Sequence, residues 1–309
     1  MLAPLVNLTF LDLTQNKLTS IPNLSYFPNL RTFEFHTNLI TSLPAGTFSK
    51  NAQLQRVALR ANSLTSLDDR SLPDSLEMLD LQRNSISSIT RDTFSNLKKL
   101  RYLFLNQNTL ENLDEYAFSN LTQLGELRID WGRFVTFPIL DRLPSLENVS
   151  MSNNLYFKSL INPVSSTVLS RAAGEDEDVG DSTTIASPNK PPPVTVKDLP
   201  RMILLDLTGD GLADFPQLDN LPNLTNLLLS KNRITKIPNV LAKLTSIRKL
   251  DLSENQIAEL PSLESLSLVE LDLSSNLLTQ LRKSTFSLNN LQKLNLARNK
   301  VSPCVFLFK

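Results

Sequence analysis

Residues 100–110, Leu100-Arg101-Tyr102-Leu103-Phe104-Leu105-Asn106-Gln107-Asn108-Thr109-Leu110, place leucine at the first, fourth, sixth and eleventh positions and asparagine at the ninth. The centre of such a string, here and in Leu11-Asp12-Leu13, alternates between core and solvent as a short strand with one buried face does. Eleven residues cannot enclose their own leucines, so the string is stable only where copies of it stack. Copies run along nearly the whole chain. The ninth position falls at Asn16, Asn38, Asn62, Asn84, Asn108, Gly132, Asn154, Asp210, Asn232, Asn255, Asn276 and Asn299, at intervals of 21 to 24 residues apart from the step between Asn154 and Asp210. Twelve such units, strand beside strand, predict one parallel sheet backed by a continuous leucine core.

The repeated asparagine has a structural reading. Its side-chain amide can bond backbone groups where the chain turns away from the strand. Asp210 keeps an acceptor at that position; Gly132 does not, which predicts a locally irregular turn there.

The string LxxLxLxxNxL resembles the leucine-rich-repeat family, and 62 of the 309 residues are leucine. The resemblance implies an α/β solenoid, a horseshoe of about twelve repeats with a concave parallel β-sheet and coil and short helical turns on the convex side. Phe48, Phe94, Phe118 and Phe286 resemble the ring that fills the wider back of the 24-residue repeats common in extracellular members. That tilts the reading toward a cell-surface ectodomain. Shorter units such as 234–250 resemble repeats found on both sides of the membrane, so a cytoplasmic location stays open.

From Asn154 to Asp210 the chain takes 56 residues where one repeat needs about 23. Within them 165–193 is polar, acidic and aperiodic, a composition that cannot bury enough apolar surface to offset its ordering entropy. The expected organisation is a first block of seven repeats over 1–160, an acidic and proline-rich insert over 161–198, and a second block of five repeats over 199–309 that continues the same solenoid. The insert reads as a tether. Docking through Glu175, Asp176, Glu177 and Asp178 and calcium binding are the alternatives. Both ends read as cut, because the cysteine-rich caps usual in extracellular members are not in the sequence; Cys304 is either the first cysteine of such a cap or a plain buried residue.

Lys and Arg total 31, as do Asp and Glu, so the net charge is zero and gives no uniform attraction for nucleic acid. One histidine, His36, and one cysteine, with no phosphate-cradling or nucleophile-elbow motif, give no basis for an enzyme, a metal, a cofactor or a small-molecule substrate. No apolar run reaches 18 residues, so a membrane enters only through segments outside this sequence. What remains is a module that binds a protein or peptide, as part of a larger cell-surface receptor or, alternatively, as an intracellular scaffold or phosphatase-regulator-like adaptor.

Side chains flanking the strand leucines face the concave side. Most central ones are small or acidic: Asp12, Glu34, Ala58, Asp80, Ser150, Asp206, Asp251 and Asp272. Phe104 and Leu228 break that trend. Around Phe104 the register gathers Tyr102, Glu126, Arg128, Asp130 and Trp131 on one side and Arg56, Arg60, Met78 and Arg83 on the other. Aromatics and arginine dominate binding hot spots, so these ten residues are the candidate protein-binding patch. His36 lies on the same face as a surface residue. Sequons at Asn7, Asn23, Asn120, Asn148 and Asn223 permit N-glycosylation of a secreted chain, although their number is what chance gives in a chain this rich in Asn, Ser and Thr.

Overall fold

The computed structural model describes residues 5–68, 71–134, 136–154, 194–281 and 288–301. In chain order its strands are β1 (Phe10–Asp12), β2 (Thr32–Glu34), β3 (Arg56–Ala58), β4 (Met78–Asp80), β5 (Ser88–Ile89), β6 (Tyr102–Phe104), β7 (Asn112–Leu113) and β8 (Glu126–Arg128). There follow β9 (Asn148–Ser150), β10 (Thr195–Lys197), β11 (Leu204–Asp206), β12 (Gln217–Asp219), β13 (Asn226–Leu228), β14 (Lys249–Asp251), β15 (Glu270–Asp272) and β16 (Lys293–Asn295). Twelve of them form one parallel sheet, in the order β1-β2-β3-β4-β6-β8-β9-β11-β13-β14-β15-β16. The alternation in the repeated string is therefore a strand in each unit, and the solenoid has one strand per repeat.

Register follows the leucines. Leu103 pairs with Leu79 on one side and Leu127 on the other, and all three are fully buried. Leu59, Leu81, Leu105 and Leu252 lie in the same core, with Leu11 partly buried against it on the edge strand. Phe94 and Phe118 stack at 6.2 Å behind the sheet, and Phe48 packs edge-on against Phe33; Phe286 lies outside the described residues. The convex side has 3-10 turns at Leu24–Tyr26 and Asn239–Lys243. It also has two short parallel pairs, β5 with β7 and β10 with β12, which the repeat pattern did not announce.

Asparagine at the ninth position ties adjacent turns together. The Asn84 amide donates to Leu59 O and Leu81 O, both at 3.0 Å, and its oxygen accepts the Leu64 N–H at 3.0 Å. Asn108, Asn232, Asn255 and Asn276 repeat the arrangement. At Gly132 the corner keeps its backbone conformation but departs in its hydrogen bonds, as expected, because the Gly132 N–H itself bonds the next unit's asparagine where at Asn62 and Asn84 the donor is two residues further on. Trp131, before it, has φ +63°, like its counterparts Arg83 at +53° and Gln107 at +59°, and the Gly132 N–H donates to Asn154 Oδ1 at 2.6 Å. A Cβ on Gly132 would stand 2.7 Å from the buried Phe134 ring, so that ring occupies the space of the missing amide.

Strand β9 pairs directly with β11, Val149 opposite Leu205. The chain between them leaves the sheet after Asn154 and is described again from Val194, so β10 falls within the range assigned to the insert. The stretch 165–193, with its acidic run, and Cys304 lie outside the described residues.

Asp210 is 1 % exposed. Its Oδ1 accepts the Asn154 N–H at 2.8 Å, but Oδ2 is buried without a hydrogen-bond partner. Burial holds this carboxyl well above the usual carboxylate range, against the Asn154 N–H that favours the charge. In the unfolded chain it ionises near 3.8. Between that value and its folded one the native chain binds the extra proton, so stability falls as pH rises through the window. Replacing Asp210 by Asn supplies the missing donor. In urea unfolding at neutral pH the variant should be more stable by about 1–3 kcal/mol, with the gap closing as the pH drops toward about 4; a gap independent of pH would reject a protonated Asp210. The register has its own test. Leu105→Ala should cost about 2–5 kcal/mol through the cavity it leaves and Phe104→Ser far less, and the reverse order would mean a strand slipped by one residue.

Candidate functional site

The central column of the concave face is a set of caps. Asp12, Asp80, Asp206, Asp251 and Asp272 each accept, through Oδ1, the backbone N–H two residues on, at 2.8 to 3.0 Å. Burial pushes the Asp80 and Asp206 carboxyls up, opposed by the bonds from Gln82 and Thr208. These aspartates close the turn after the strand, an Asx-type role, and that explains why acidic residues recur there.

Three successive strands lack this cap. Phe104 on β6, Arg128 on β8 and Ser150 on β9 are in register as neighbours. The Arg128 guanidinium stands 5.4 Å from the Phe104 ring centroid and is held by Glu126, whose Oε1 is 2.5 Å from Nη2. A cation over a ring face is worth about 0.5–1 kcal/mol when exposed. Asp130 supplies the third turn's cap from the neighbouring unit, accepting from Ser152 N at 2.7 Å and Ser150 Oγ at 2.6 Å.

The next column places Arg56, Met78, Tyr102 and Glu126 on consecutive rungs. Tyr102 is 45 % exposed and Trp131 57 %. Arg83 donates to Gln107 Oε1 at 2.6 Å, and Arg60 is near enough to Asp80 to stabilise its charge. The sheet thus brings Met78, Tyr102, Phe104, Glu126, Arg128 and Trp131 together, with Arg56, Arg60 and Arg83 along one side. Asp130 is the exception. At 8 % exposure, with its carboxylate used by two serines, it holds a turn and offers no contact. Leu228 is half-buried between the Asp206 and Asp251 rungs. His36 sits outside the patch, its Nδ1 3.4 Å from both Thr14 Oγ1 and Glu34 Oε2.

Among the sequons, Asn7, Asn23, Asn120 and Asn223 are exposed, while Asn148 lies in the concave sheet. The Asn23 oxygen accepts from Ser25 N and the Asn223 amide donates to Pro200 O. Among the described residues no group of three His, Cys, Asp or Glu could hold a metal, and no helix is long and apolar enough to cross a membrane.

Family models described as leucine rich repeat match residues 74–134, and as leucine rich repeats in two copies, residues 6–51 and 222–265. No curated protein matches the sequence. Among solved structures, a leucine-rich-repeat protein of Leptospira interrogans is 25% identical with a TM-score of 0.68, over 94% of this chain and 72% of that one. The leucine-rich-repeat domain of APL1B is 22% identical with a TM-score of 0.69, over 94% and 76%. A chain of the Drosophila Toll–Spatzle complex is 21% identical with a TM-score of 0.72, over 94% of this chain but only 38% of its own. The last two likenesses speak to the fold alone.

A bulky residue with positive φ costs roughly 1–2 kcal/mol, and Trp131 adopts φ +63° with its ring exposed. The repeat imposes this φ at its corners, where the Trp131 N–H donates to Ser152 O at 2.9 Å, and the exposed indole adds no packing of its own. Trp131→Gly should therefore raise the unfolding free energy by up to about 1 kcal/mol, read from chemical denaturation; a loss of stability would show that the indole contributes to the core.

Proposed function

Because this chain is a leucine-rich-repeat protein, we propose that it is a protein-interaction module whose partner seats on the concave patch formed by Tyr102, Phe104, Arg128 and Trp131, with Met78 and Glu126 beneath and Arg56, Arg60 and Arg83 at the rim. One observation carries this reading. Where five of the twelve strands end in a turn-capping aspartate, β6 and β8 present a phenylalanine and the arginine held over it, a choice that forgoes stabilising hydrogen bonds and exposes hot-spot residue types. Departures from a locally stable pattern are expected at functional sites.

The partner is a protein or peptide, and the chain is read as part of a larger cell-surface receptor. The buried Phe48, Phe94 and Phe118 of the longer repeats support that location. In a secreted protein Asn120, exposed on a convex turn, suits a glycan, whereas one on Asn148 would stand in the sheet beside the patch. Direct pairing of β9 with β11 supports 1–160 and 199–309 as blocks of one solenoid, with the extra residues an insert.

Alanine at Phe104 or Trp131 should weaken the partner, isolated on the intact chain, by about 2 kcal/mol or more, measured by calorimetry with unfolding curves to show that the fold is kept. Unchanged affinity in both variants would move the site elsewhere on the concave face.

A further inference from the structure

A groove of about 690 Å³, within the roughly 300–1,000 Å³ usual for ligand sites, runs along the strand-entry side of the sheet. One border is the row Tyr102, Glu126 and Asn148 on β6, β8 and β9. The other is the row just before those strands, Arg101, Gly125 and Glu147, where the Gly125 N–H donates to Arg101 O and the Glu147 N–H to Gly125 O, both at 2.9 Å. The glycine opens a notch between two long side chains. Neither backbone nor packing demands it. Its φ is not positive, and an added Cβ would meet only Arg101 O at 3.7 Å and Ser145 O at 3.8 Å, ordinary contacts. The same row carries Gln55 in the third unit, its N–H on Arg31 O, so a longer side chain fits this backbone.

Among the described residues that line the groove, Tyr102 is the one aromatic and none is aliphatic. Peptide side chains gain most of their affinity in buried apolar pockets, and this groove offers none. Arg101 and Arg201 stand toward its ends with Glu126 and Glu147 between them, so neither an anion nor a cation meets a run of opposite charge. Glu126 is held by Arg128. Among the described residues the side chains of Arg101, Gln123, Glu147, Asn148 and Arg201 have no hydrogen-bond or ion-pair partner. A hydroxyl both donates and accepts, so it pairs with guanidinium, carboxylate and amide alike. Tyr102, 45 % exposed, adds a ring whose electron-rich face attracts C–H groups. A ligand with hydroxyls around its rim and C–H bonds on its faces answers both features. From this lining we infer that the groove binds a neutral oligosaccharide, with one sugar ring against Tyr102, hydroxyls on Gln123, Glu147 and Asn148, and the notch at Gly125 letting the chain of sugars lie close to the backbone. This ligand is additional to the protein partner of the concave patch.

The test uses the full chain, labelled with nitrogen-15 and made in bacteria so that the Asn148 sequon stays bare, titrated with maltotriose, chitotriose and mannotriose. At least one should bind with a Kd on the order of 1 mM and shift the amides of 102, 123, 125, 147 and 148. Gly125→Gln, which fills the notch, and Gln123→Ala, which removes a hydroxyl partner, should each weaken that sugar several-fold, with amide spectra elsewhere unchanged. Both residues lie outside the concave patch, so the protein-binding reading stands or falls separately. Lys249→Ala, on β14 and outside both surfaces, should leave the affinity unchanged. No shift with any of the three sugars up to about 10 mM, indifference to Gly125→Gln and Gln123→Ala, or tighter binding of trigalacturonate than of every neutral trisaccharide overturns the inference.

Discussion

The corner where each turn leaves the sheet is the constraint on which this molecule depends. Backbone carbonyls and amides there are pressed between neighbouring turns and cut off from water, and a buried backbone group left unpaired costs about as much as a lost hydrogen bond. An asparagine side chain offers both a donor and an acceptor in a fixed plane. Asn84 shows the consequence: one side chain serves carbonyls of two turns and the N–H of a third position. Because it must reach the previous turn, its place in the unit cannot drift, and the backbone before it takes positive φ in unit after unit. The leucine register and the parallel sheet follow from this stitching as much as from burial.

A second series of hydrogen bonds, to the concave aspartates from the N–H two residues on, stiffens the exit from five strands. It gives the concave face a default composition that owes nothing to a partner. Phe104 and Arg128 are informative because they replace a residue with a structural task, whereas an aromatic at an idle position would say little.

The sequence made the repeat, the strand register and the leucine core legible, since all follow from a period and an alternation. It also made Asp210 legible as an acceptor and Tyr102, Phe104 and Arg128 as neighbours, because parallel pairing carries equal positions onto adjacent rungs. The irregularity expected at Gly132 is in its hydrogen bonds and not in its φ, since the glycine N–H itself takes Asn154 Oδ1. Phe134, two residues on, fills the vacated space, a substitution in three dimensions that no single position announces. Asp130 looked like a surface residue because its strand position faces the concave side, and only the serines of the next unit show it to be a cap. The aspartate column could have been read as Asx turns from the recurring Asp-x-Thr and Asp-x-Ser spacing.

The altered corners are not scattered. Phe134 replaces an amide beside β8, Asp130 caps the turn after β9, and Asp210 stands in for asparagine after β11. These are the strands that, with β6, carry the patch or adjoin it. In a solenoid each unit is stabilised by its two neighbours, so weakened units are tolerated in the interior of the stack and not at its edges, where Leu11 and Leu294 are already less buried. The same nearest-neighbour logic explains how β9 meets β11 in the common register despite the long stretch between them: pairing is set by leucines and corner side chains, and closing a longer loop adds only slowly to the entropic cost.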